Sequence, residues 1–200
     1  MSNRSSTRPT RDATATKARI LAAARQGFST HGYAGIGIRE IAELAGVSYP
    51  LIGRYYGSKA GLFDAALASF MSVDAAIAVD RSVFGENLAR LIVASVANDA
   101  PLSMTILSAA DSEAQPLSIR AINSRVIQPL AEWLGPPHAH ERAISITMTA
   151  AGFVMFTRHM PLVSPREPDF EPLVKWMGET FQRIVDARIG WIGSPVDTIS

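Results

Sequence analysis

Ser48, Tyr49, Pro50 and Leu51 follow directly on a glycine–valine corner, and this run of side chains suits the reading of a base edge. Tyr49 offers a hydroxyl and an aromatic edge. Pro50 and Leu51 can make only apolar contacts, thymine methyl groups among them. Cations flank the run, with Arg39 ahead of it and Lys59 beyond it. Lys59 falls where a following helix would begin, and there free N–H groups and the helix dipole favour an anion. Contacts to phosphate position a protein on a duplex, whereas groove contacts specify the sequence.

Such residues are useful only if short, well-anchored helices aim them. Residues 38–59 read IREIAELAGVSYPLIGRYYGSK. Ile38, Ile41, Ala42 and Ala45 repeat at i, i+3, i+4 and i+7, one apolar stripe on a short helix. Gly46 ends it, because glycine takes a positive φ without a Cβ clash. Val47 is expected to plug the corner and the Ser48 hydroxyl to cap a second helix. Pro50 then falls in a first turn, where its missing N–H costs nothing. Two helices joined this way make a helix-turn-helix. A third helix must cover their apolar face, and residues 16–30 supply it with Ile20, Leu21, Ala24 and Phe28. In this frame Ile52 and Tyr56 belong to the core. Arg54 is either solvated or paired with Glu43 or Glu40, and Tyr55 is a contact residue or an aromatic packed beneath the helix.

The spaced set Ala24 and Phe28, HGY at residues 31–33, IREIAELAGVS at 38–48 and YYGSKAGLF at 55–63 resembles the DNA-binding domain of the TetR (tetracycline-repressor-like) family of transcriptional regulators. The resemblance implies that Tyr55 and Lys59 meet backbone phosphate, with Arg39 a further phosphate candidate, while Ser48, Tyr49, Pro50 and Leu51 lie at the major groove. It also implies an effector pocket in the remainder of the chain, and a dimer whose last two long helices pair with those of a second copy. Three positions depart from the family's habit. Ile36 and Gly37 give the second helix a weak cap, Gly53 costs about 1 kcal/mol of helix propensity, and Gly61 removes the acid that would complete a capping box with Ser58. A looser head off DNA is the expectation.

Charge is divided in the same way as the motifs. Residues 1–59 carry nine Lys/Arg against three acids, and the remainder ten against fifteen. A basic head on an acidic body fits a polyanion-binding module attached to a different kind of domain. Residues 1–12 read as a coil, either a solvated tail or a flexible arm whose Arg4, Arg8 and Arg11 touch phosphates or a minor groove. The expected division is a basic arm at 1–15, the helix-turn-helix domain at 16–60, and a helical effector-binding and dimerisation domain at 61–200. Zero cysteines exclude disulfides and Cys-ligated zinc and fit a cytosolic protein. No secretion signal opens the chain, and the longest uncharged run, 143–157, is short for a membrane span.

The linking helix from Ser58 is predicted to run to about Asp80. Further helices are predicted near 86–98, 101–110, 116–134 with a kink at Pro129, 140–159 and 170–189. The alternation ISITMT at 144–149 would pass for a strand, but a lone strand has no partner, so helix is preferred. Met104, Trp133, Met148 and Phe153 are the pocket candidates, from residue types that equally build ordinary cores. Small residues at Ala143, Thr147, Ala150, Ala151 and Gly152 suit close helix approach.

Other chemistries find little footing. The glycines of residues 32–37 have the wrong spacing for a dinucleotide loop and no strand before them. His138, His140 and Glu141 could ligate a metal but sit in a Pro-rich loop, so no metal, cofactor or catalytic residue is assigned. The expectation is an all-α, ligand-responsive repressor binding a pseudo-palindromic operator as a homodimer and released by a small apolar effector. The rivals are a helical carrier or enzyme with the helix-turn-helix as scaffold, and a nucleoid binder without effector.

Overall fold

The computed structural model describes residues 8–96, 101–164 and 166–188, and the ordered elements among them are helices. Contacts divide the chain into two compact units. The first joins Met1–Met71 with Asp99–Ala121, and the second joins Ser72–Asn98 with Ile122–Ser200. The reading that cut the chain at 60/61 left residues 61–71 and 99–121 with the body; here they pack with the head.

In the first unit α1 is Arg8–His31, longer than the helix expected from residue 16. Pro9 lies in its opening turn, where the helix needs no N–H, so nothing stops it from starting early. The part of the basic arm from Arg8 onward is therefore helical, while Arg4 lies outside the described residues. Helices α2 (Ile38–Ala45) and α3 (Tyr49–Tyr56) form the expected pair. The corner between them is a Schellman turn: Gly46 has φ 62°, its N–H donates to the Glu43 carbonyl, and the Val47 N–H donates to that of Ala42. Ile20, Ala24 and Phe28 of α1 are wholly buried with Ile41, Ile52, Leu62 and Phe63. Tyr33, in the connector as expected, packs at 5.2 Å edge-on to Phe63.

Helix α4 is Lys59–Phe70, not the long link to Asp80. The Ser72 hydroxyl accepts from the Asp74 N–H at 3.0 Å, a local turn that competes with helix before α5 (Asp74–Ile77) begins. The stretch Lys59–Ile77 has a mean hydropathy of 1.4, enough by length and composition to cross a membrane. Its apolarity has an ordinary cause here, since Leu62, Phe63, Ala66 and Leu67 fill the head's core.

A 3₁₀ turn at Arg81–Val83 leads into α6 (Phe84–Val96). Helix α7 (Pro101–Leu107) packs on α1 within the first unit. Helix α8 (Ala114–Ile122) continues through a π-type turn at Asn123–Ile127 into α9 (Gln128–Leu134). The disturbance expected at Pro129 thus falls just before it, because Pro129 cannot donate to a preceding carbonyl and the helix widens. Helices α10 (Ala139–Val154), which includes the alternating residues 144–149, and α11 (Phe170–Val185) complete the second unit, with a second π-type turn at Met155–His159.

Candidate nucleic-acid interface

Helix α3 turns its first residues outward. Ser48 and Pro50 are exposed, Tyr49 is 50% exposed and Leu51 half-buried. Ser48 is the residue before the helix, but its hydroxyl caps nothing. An N-cap side chain bonds the second or third N–H. The second here belongs to Pro50, which has none, and the third, of Leu51, donates to the Ser48 carbonyl at 3.0 Å. The expected cap is corrected, and the hydroxyl stays on the open face.

The weak start expected for α2 is also corrected. Gly37 cannot cap, but the Glu40 carboxylate accepts from its N–H at 2.7 Å, one half of a capping box. That contact occupies Glu40. Arg54 is exposed and makes no ion pair among the described residues. Ile52 is fully buried, as expected of a core residue.

Several cations of the head lie over aromatic rings. Arg39, exposed on the first turn of α2, holds its guanidinium carbon 5.7 Å from the centre of the Tyr49 ring. Lys17 of α1 lies 5.2 Å over Tyr55, and its carbonyl accepts from the Tyr56 hydroxyl. Lys59 is at the first position of α4 as expected, with its ammonium 4.5 Å over Tyr33. Lys17 was not singled out from the sequence. Counted back three residues from Ile20 it falls on the same face of α1 as Ile20, Ala24 and Phe28, one turn ahead of them, but nothing local marks its pairing with α3.

Tyr33 links this face to the rest of the first unit. Its N–H donates to the Ser108 hydroxyl at 2.9 Å and its own hydroxyl to Glu113 at 2.6 Å. Burial, then the Glu113 bond and charge, raise its pKa well above the usual tyrosine value, so the phenol is a weaker acid.

The four pocket candidates do not converge. Met104 is 0% exposed in the core of the first unit. In the second unit Trp133 stacks on Phe84 at 4.8 Å under the Arg81 guanidinium, and Met148 is 69% exposed. Phe153 alone of the four lines a cavity of about 410 Å³ in the second unit, with Phe156, Leu162, Leu173 and Trp176 among its neighbours. The Thr149 and Thr157 hydroxyls at its wall donate back to the carbonyls of Ser145 and Phe153. Among the small residues, Ala143 and Ala150 are buried within the unit, while Thr147, Ala151 and Gly152 are half-buried. His138, His140 and Glu141 are exposed at the start of α10.

An outward helix N-terminus carried by a compact cationic trihelical head defines a helix-turn-helix nucleic-acid-binding module joined to a helical body. Residues 20–66 match the family model described as bacterial regulatory proteins of the tetR family. Residues 83–185, over half the chain, match the tetracyclin repressor-like C-terminal domain. The chain belongs to the TetR family. It is 48% identical over 69 residues to an HTH-type transcriptional repressor of Streptomyces coelicolor, covering 34% of this chain and 35% of that protein. It is 53% identical over 45 residues to the HTH-type transcriptional regulatory protein RaaS of Mycobacterium tuberculosis, covering 22% of this chain and 21% of the relative. Both alignments thus span well under half of these curated relatives. A TetR-family regulator from Streptomyces coelicolor A3 matches in structure with a TM-score of 0.55 at 26% identity, over 91% of this chain and 99% of that one.

Proposed function

We propose that the chain is a cytoplasmic transcriptional repressor that binds a pseudo-palindromic operator as a homodimer and lets it go when a small apolar effector binds. The observation that carries this reading is the outward edge of α3, Ser48 to Leu51, in a head whose Lys17, Arg39 and Lys59 are held by rings rather than by acids. Such an edge enters a major groove while the cations and Tyr55 meet phosphate. The printed role of the Streptomyces coelicolor relative, a repressor, supports the direction of control.

Pairing is supported by the second unit, where α10 and α11 leave Met148 and Trp176 largely exposed. Large apolar side chains left open on paired helices suit a self-complementary two-fold interface. The aromatic cavity supports an uncharged effector, since no charged side chain lines it and its threonine protons are already donated. Two-fold symmetry requires recognition helices about 34 Å apart, or a small multiple of that. An effector that prefers a body conformation with the wrong spacing releases the operator. Taking the ratio of states from 1:99 to 99:1 needs about 5.5 kcal/mol of differential affinity.

Selection of bound fragments from a random DNA pool by the full-length chain is expected to return a two-fold symmetric site. Affinity for it falls with salt by about 0.9 log units per log salt for each phosphate contacted, and Lys59→Ala removes about one such contact. Tyr49→Ala relaxes sequence preference. A flat salt dependence would favour a carrier or enzyme instead, and equal affinity for selected and random DNA a nucleoid binder.

A further inference from the structure

Both outward rings of α3 carry a cation from another helix. Tyr55 has Lys17 of α1 above it and Tyr49 has Arg39 of α2. For Arg39 the arrangement follows from its surroundings. The adjacent acid, Glu40, is engaged with the Gly37 N–H, and no ion pair holds Arg39 among the described residues. A guanidinium stacks through its face and keeps its N–H edges free. Tyr49 opens α3, ahead of Pro50, and half its surface is bare, so few protein contacts fix its ring.

We propose that Arg39 governs sequence preference by holding Tyr49: its guanidinium, 5.7 Å over the centre of the phenol ring, fixes the angle at which that ring meets a base edge. Arg39 is then a positioning residue for recognition, in addition to any charge it brings to the backbone. The inference rests on the operator reading above, and the experiment separates the two.

Wild-type chain, Arg39→Ala, Arg39→Lys, Tyr49→Ala and the double variant Arg39→Ala/Tyr49→Ala are titrated with the selected site and with random duplex between 50 and 200 mM salt. A cation on an exposed ring implies that Arg39→Ala lowers the selected-over-random ratio roughly two- to five-fold. Arg39→Lys keeps the charge but not the planar, weakly hydrated guanidinium, so the ratio falls while the salt slope holds. In the Tyr49→Ala background, removing Arg39 changes the ratio no further. Three results overturn the inference: equal weakening on both DNAs with the slope reduced by about 0.9, a full additional loss of ratio without Tyr49, or full retention of the ratio in Arg39→Ala. A wild-type chain that selects no sequence overturns the operator reading and this inference together, whereas a wild-type site with any of those three overturns this inference alone. Equal melting curves for the variants exclude a folding defect, and unequal curves that track the ratio count against it.

Discussion

Tyr33 shows how one residue joins the cationic face of the head to its interior. The ring lies between the Lys59 ammonium and the Phe28 and Phe63 rings, and its hydroxyl reaches Glu113 across the first unit. A phenol donating to a carboxylate in a dry place resists ionisation, because its anion would lose water and face the negative Glu113. The folded state therefore keeps this proton at a pH where the unfolded chain, near pH 10, releases it. Below that pH both states hold the proton and stability is unaffected. Above it only the unfolded state loses the proton, so the head weakens as pH rises, by up to about 1.4 kcal/mol per pH unit. Tyr56, also pushed up by burial, adds to the slope. Denaturant midpoints between pH 8 and 11 should fall in the wild type and fall less steeply in Tyr33→Phe. The variant starts lower by about 1 kcal/mol for the lost hydrogen bond. An unchanged slope would mean that Tyr33 titrates normally.

At the scale of elements, Gly53 and Gly61 look alike in sequence and differ in structure. A Cβ on Gly53 would meet nothing within 4 Å, so Gly53→Ala should stabilise the head by about 1 kcal/mol through helix propensity alone. A Cβ on Gly61 would lie 2.1 Å from the Tyr56 carbonyl oxygen, main chain that cannot step aside. Gly61→Ala should therefore destabilise the head by more than about 1 kcal/mol, as overpacking does. Urea unfolding of both variants tests the pair, and equal effects would contradict the geometry. The sequence offered only a missing acid at Gly61, because the constraint is a close approach of α3's last carbonyl. The helix-turn-helix itself was legible, since its stripe, stop glycine and early proline are local signals. The end of α4 was half legible: apolarity continues past Phe70, and the turn at Ser72 that stops it competes through one hydrogen bond. The Ser48 cap was misread because Pro50 at once favours the helix start and removes the donor a cap needs. Pocket residues were barely legible, with Phe153 alone of the four at a cavity. Met104, Trp133, Met148 and Phe153 have similar chemistry, and only tertiary packing decides that one is core, one stacked, one bare and one at a cavity.

At the scale of the molecule the decisive side chain in the body is Arg142, 1% exposed and in no ion pair among the described residues. Its Nε donates to the Ile184 carbonyl at 2.7 Å and its Nη1 to those of Gly135 and Pro137 at 3.0 Å. Its Nη2 donates to the Val185 carbonyl. Burial and the nearby Arg81 draw its basicity down, while Asp186 opposes them. The carbonyls at the ends of α9 and α11 are the negative poles of their helices, so a cation there does the work of a cap. One guanidinium thereby ties α9, α10 and α11 together. Arg142→Ala would remove four hydrogen bonds from a charged donor, at about 1.5–3 kcal/mol each for the buried ones, although the Ile184 carbonyl keeps the Ala187 N–H and that of Val185 keeps Arg81. Lysine lacks the fork and should not rescue it. If the body holds two chains together, the second head binds its half-site intramolecularly, at an effective concentration set by that connection. Arg142→Ala should then lower the body's unfolding midpoint sharply. Above the new midpoint, operator affinity should drop by orders of magnitude toward that of a single head, with little change on random DNA. Melting followed by operator titration across that midpoint reads both effects. A stable Arg142→Ala body would show that the carbonyl cage is not what organises it. Operator affinity that survives the body's melting would show that one head suffices.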